Sequence, residues 1–102
     1  MNRGAFEEHV RRALDSLPPS VARALENVAV VVEEANPEEP GLFGLWQSHE
    51  YLPDKITIYR RPLVAAFTDP GELEEEIRVT VLHELGHYFG LDEGRLEELG
   101  YD

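Results

Sequence analysis

The stretch VTVLHELGHYFG, residues 79–90, decides how this chain is read. Val79 to Leu82 is apolar on nearly every side of a helix, so this segment must be buried against both a sheet and other helices. It then places His83 and His87 four residues apart, one turn apart on a single helix face. Gly90 follows, a residue that can end a helix in the left-handed conformation. Working backward, Thr68-Asp69-Pro70-Gly71-Glu72 is a helix start. Thr68 or Asp69 can cap, Pro70 suits the first turn, and an acid near the N-terminus complements the helix dipole. One long helix is therefore predicted over 70–89, acidic in its first half and apolar in its second.

Histidines in such a buried segment call for a chemical reason. Two imidazoles on one face can aim their nitrogens at one point, which fills two positions of a tetrahedral zinc. Glu84 is rotated about 100° from His83. That makes it a poor ligand, but it can reach a water on the metal, whose pKa falls to about 7, and take its proton as a general base. The spacing thus supplies two metal ligands, His83 and His87, and a catalytic residue, Glu84. The chain contains no cysteine, so a third ligand must be His, Asp or Glu. Asp92 and Glu93 are the candidates, with His49 or His9 as a fallback. His9 and His49 otherwise read as plain surface histidines, one on the polar side of a helix and one in a loop. Gly86 costs about 1 kcal/mol relative to alanine within a helix, and close approach of another backbone is expected there.

Outward from the motif helix, residues 6–17 carry Phe6, Val10, Ala13, Leu14 and Leu17 at helical spacing, ended by Pro18-Pro19. Residues 20–26 predict a second short helix. The β-branched run VAVVVEEA (28–35) predicts a strand covered on both faces. NPEEPG (36–41) is loop. LFGLWQ (42–47) predicts a short strand interrupted by Gly44, and KITIYRR (55–61) a strand by alternation. Short helices are expected at 62–67 and 95–99. The fold class is α+β, with a small sheet of about three strands packed by the long helix and the shorter ones.

The chain has 102 residues, within the size of one domain, and a net charge of −12 at pH 7. That charge argues against nucleic acid and anionic membranes as partners, because phosphate binding needs a basic surface. There is no apolar run of membrane-spanning length and no signal-peptide pattern at the N-terminus. Together with the lack of cysteine, this predicts a cytoplasmic protein.

His83-Glu84-x-x-His87-x-x-Gly90 followed by acids resembles the metzincin signature HExxHxxGxx(H/D). Over most of its length, through ENVAVVVEE, GLFGLW and ITIYRRPL, the chain resembles the small bacterial zincin-like metallopeptidase domains. The resemblance implies a minimal zincin-like single domain spanning 1–102 and a zinc peptidase acting on peptides or unfolded protein. It implies His83, His87 and Glu93 as zinc ligands and Glu84 as the base. The chain departs from metzincins in having no methionine beyond Met1 and few residues after Glu93. The strand at 55–61 is the expected sheet edge for an extended peptide, since strand addition needs no large cleft. An alternative function is a non-catalytic peptide- or protein-binding module braced by the metal. Zinc endoribonucleases have a similar histidine spacing but lack the glutamate present here as Glu84.

Overall fold

The computed structural model describes residues 1–90 together with 92, 94 and 98. In chain order these form α1 (Arg3–Asp15), α2 (Pro19–Ala24), a 3₁₀ turn (Leu25–Asn27), β1 (Val28–Glu33), β2 (Gly44–Gln47), β3 (Asp54–Tyr59), α3 (Arg60–Ala66) and α4 (Pro70–Tyr88). The architecture is α+β, as expected. Three strands form a mixed sheet in the order β1-β3-β2, with β1 parallel and β2 antiparallel to β3.

Local chemistry sets the helix boundaries. Asn2 caps α1 by accepting the Ala5 N–H at 2.8 Å, and Asp69 caps α4 by accepting the Glu72 N–H at 3.0 Å. Such caps satisfy donors that the first turn otherwise leaves open. Beyond α4, Gly90 has φ +79°, the left-handed turn the sequence predicts. Phe6, Val10 and Ala13 of α1 are buried, and the helix packs on α4. On α4, Leu73, Ile77, Val81 and Leu85 recur every fourth residue and are at most 3% exposed. They join Ile56 and Ile58 of β3, Val28 of β1 and Leu63 of α3 in one core.

Two expectations about the sheet are corrected. β3 is not an edge: it is the central strand, bonded to β1 on one side and β2 on the other, and Thr57 within it is fully buried. Its alternation reports which side chains face the core, not which strands lie beside it. The strand also ends at Tyr59, and Arg60 and Arg61 begin α3. β1, expected to be covered on both faces, is an edge strand. Val28, Val30 and Val32 pack toward the core, while Ala29 and Glu33 are exposed. Arg60 ties the ends of β1 and β3 together through a forked ion pair with Glu34, with N–O distances of 3.1, 2.9 and 2.5 Å. None of the described helices is long and apolar enough to cross a membrane. Of the helix expected at 95–99, all but Glu98 lies outside the described residues.

Candidate metal centre

Packing of the Leu73-Ile77-Val81-Leu85 row against the core fixes the rotation of α4, and this leaves His83 and His87 half-buried on another face. Their Nε2 atoms stand 3.2 Å apart, with the rings nearly perpendicular at 77° and their centroids 4.8 Å apart. Two nitrogens held 2.0–2.1 Å from a tetrahedral ion stand about 3.3 Å apart. The pair therefore matches the spacing a single metal requires, and its imidazole donors suit zinc, copper, iron or nickel.

Glu84 is 9% exposed. Its Oε2 lies 3.8 Å from His83 Nε2, while its Oε1 accepts the main-chain N–H of Trp46 at 2.9 Å. One ligand atom from each of His83, Glu84 and His87 falls within a 4.8 Å group that could hold a metal ion. Trp46 reaches Glu84 because β2 lies very close to α4. A Cβ added at Gly44 would stand 2.6 Å from Thr80 Cγ2, 3.3 Å from the Thr57 carbonyl and 3.4 Å from Glu84 Cγ. Only glycine permits that approach. The Trp46 ring meets Tyr88 edge-on at 6.0 Å, one residue beyond His87.

Among the described residues, the other candidate ligands are not part of this group. His9 is not a free surface histidine: its Nδ1 pairs with Glu74 Oε1, joining α1 to α4. The helical pattern placed it on a polar side, and that side meets the acidic first half of α4. His49 is exposed in a loop, as expected, and Asp92 is exposed. Glu93, the expected third ligand, lies outside the described residues.

A sequence profile described as zincin-like metallopeptidase matches residues 25–101. The chain belongs to the zincin-like metallopeptidase family. Among solved structures it is similar to a conserved hypothetical protein from Thermus thermophilus. The TM-score is 0.60 at 23% identity, over 99% of this chain and 100% of that one. That likeness bears on the fold alone. No curated protein matches the chain. Family membership implies zinc in general, and the imidazole pair fits such an ion.

The zincin-like domain also has a cleft of about 340 Å³ beside the histidines, between residues 39–44 and the outer side of α4. His83 and Glu84 lie along it. Sequence reasoning missed two parts of this site, Gly44 and the Trp46 main chain. A glycine inside a short strand is itself a signal of close backbone approach. A main-chain donor leaves no trace in residue type.

Proposed function

We propose that this zincin-like domain is a zinc-dependent peptidase in which His83, His87 and Glu93 hold the metal and Glu84 is the general base. The observation that carries this reading is the convergence of the two Nε2 atoms at 3.2 Å beside a glutamate anchored by the Trp46 N–H at 2.9 Å. A bound zinc would supply Lewis acidity toward a carbonyl and a water of lowered pKa. Glu84 would take the proton at Oε2 while Oε1 stays on the Trp46 N–H, so that one fixed hydrogen bond orients the base. A carboxylate held this way needs little reorganisation during the reaction.

The substrates are extended peptides or unfolded protein lying along β2. The Tyr59 N–H bonds to the Phe43 carbonyl at 2.9 Å. In the antiparallel register, Phe43, Leu45 and Gln47 therefore turn their polar backbone groups toward β3, and Gly44 and Trp46 turn theirs outward. The outer edge of β2 thus borders the base, where an added strand would bring its carbonyls near the metal.

The test combines metal content with turnover. Replacing both His83 and His87 with alanine is expected to abolish stoichiometric zinc. Glu84→Gln is expected to keep one zinc per chain and to lower hydrolysis of an unfolded or fluorogenic peptide by about 10²–10⁴-fold. Metal loss in Glu84→Gln would contradict the base role. Zinc binding by the wild-type chain with no turnover across a broad peptide library would favour the non-catalytic, metal-braced module.

A further inference from the structure

On the peptidase reading above, we propose that the cleft beside the histidines seats a large apolar side chain of the substrate, such as leucine or methionine, and that this side chain belongs to the second residue after the cleaved bond. The register follows from hydrogen bonding at the outer edge of β2. Gly44 and Trp46 turn their main-chain groups outward there. The Trp46 N–H is already held by Glu84 Oε1 at 2.9 Å. Of these two residues, an added strand can therefore use the Gly44 N–H, the Gly44 carbonyl and the Trp46 carbonyl. One residue of an antiparallel strand exchanges both hydrogen bonds with Gly44. The residue two positions earlier lies opposite Trp46. It can donate its N–H to the Trp46 carbonyl, but its own carbonyl meets an N–H that Glu84 has taken. That carbonyl is left unpaired beside Glu84, whose Oε2 is 3.8 Å from His83 Nε2. It is the one open to polarisation and attack, so the bond after it is the one cleaved. The residue opposite Gly44 is then the second beyond the cut. A parallel strand would lose the Trp46 N–H from the middle of its ladder, and parallel pairing is the weaker arrangement per residue.

Facing residues of an antiparallel pair project from the same side of the sheet. Gly44 projects toward α4, since a Cβ added there would stand 2.6 Å from Thr80 Cγ2 and 3.4 Å from Glu84 Cγ. The side chain opposite Gly44 thus enters the cleft of about 340 Å³ that Leu42, Phe43, Val79 and Thr80 border. The Phe43 ring is braced edge-on by Phe67 at 5.8 Å, so that wall is a packed surface. Thr80 donates its hydroxyl to the Glu76 carbonyl at 2.7 Å and turns its methyl toward Gly44. Glu76 and Glu39 also border the cleft; Glu76 is already engaged within the protein, and Glu39 is exposed. The surface met by an incoming side chain is that of Leu42, Phe43, Val79 and the Thr80 methyl. The volume is at the lower end of ligand-sized pockets, which suits one residue of a peptide. Taking a leucine side chain partly out of water there is worth about 10-fold in affinity over alanine.

The probes are labelled peptides of alanine and serine that carry one leucine, alanine in its place, or the hydroxy acid of leucine. In the last, an ester oxygen replaces the N–H offered to the Gly44 carbonyl. Cleavage of the leucine peptide by the zinc-loaded wild-type chain is read by mass spectrometry, and the new N-terminus is expected one residue before leucine. Binding is read by fluorescence anisotropy on the Glu84→Gln chain, zinc-loaded and zinc-free. In both forms the leucine peptide is expected to bind about 10-fold tighter than the alanine peptide, and the ester to weaken binding by about 3–10-fold. Val79→Phe, which fills the cleft, and Leu42→Ser, which removes an apolar wall, should each bring the leucine-to-alanine ratio toward unity. Leu52→Ala, at an exposed loop position outside the cleft, should leave it unchanged. A leucine preference that survives both cleft variants, or a cut at another distance from leucine, overturns the proposal. Absence of a leucine preference also overturns it, and cleavage without that preference leaves the peptidase standing. Leucine-selective binding that the ester and Val79→Phe both weaken, with no wild-type turnover, would support the seat at Gly44 and count against the peptidase.

Discussion

In the proposed site His83 and His87 would fill two of the four positions of a tetrahedral zinc, and a catalytic site keeps one for water, so a single further protein ligand would be required. Glu93 holds the third-ligand position of the metzincin spacing. Asp92, one residue earlier and one methylene shorter, is exposed. Glu93→Ala is therefore expected to weaken zinc binding by about 100-fold or more, and Asp92→Ala by less, in competition with a chromophoric chelator. The opposite order would make Asp92 the ligand. The same scale shows why identical residue types read so differently in the sequence. His83 and His87 are legible because a spacing of four on a helix puts them side by side whatever surrounds them. His9 has no such local partner. Its pairing with Glu74 joins two helices far apart in the chain, and nothing in the local pattern reports it.

At the scale of elements, the anchoring of Glu84, the proposed base, depends on how closely β2 approaches α4. Gly44→Ala would place a Cβ 2.6 Å from Thr80 Cγ2 and 3.3 Å from the Thr57 carbonyl. Strand and helix must then separate, stretching the 2.9 Å bond from Trp46 to Glu84. The expected result is a loss of about 1–3 kcal/mol in stability from overpacking and a marked fall in turnover. Zinc stoichiometry should be unchanged, because both histidines sit on α4 itself. Thermal denaturation, metal content and peptide hydrolysis of the one variant check all three. Full turnover in Gly44→Ala would remove the Trp46 contact from the mechanism.

For the whole molecule, the excess of carboxylates makes acid a selective probe. The Arg60 guanidinium holds the Glu34 carboxyl down to about 2, well below its ordinary 4.5. Glu74 is also lowered, first by its hydrogen bond to His9. A carboxyl that binds protons less readily folded than unfolded stabilises the fold fully above its unfolded pKa, and that contribution disappears as pH falls through the folded value. The metal-free chain should therefore lose Tm progressively from about pH 4.5 toward pH 2. Arg60→Gln, which returns Glu34 toward its ordinary range, should flatten that dependence and lower Tm near neutral pH. Circular dichroism melts across this range would show it. An unchanged acid slope would mean that the Glu34–Arg60 pair does not couple folding to pH.

By itself the sequence determined what depends on neighbours within a turn or two of the chain. These features are the capped start of α4 at Asp69, its stop before Gly90, and the shared face of His83 and His87. Each follows from helical periodicity and local hydrogen bonding, which act over four residues. Strand order was decided only by the tertiary structure. The pattern KITIYRR shows which side chains of β3 face inward, but two-residue alternation carries no information on which strands flank it. β3 thus lies in the centre and β2 at the edge beside the motif helix. The contact that anchors Glu84 belongs to the same class. It joins a main-chain N–H to a carboxylate 38 residues away, and only packing of β2 against α4 through Gly44 brings the two together.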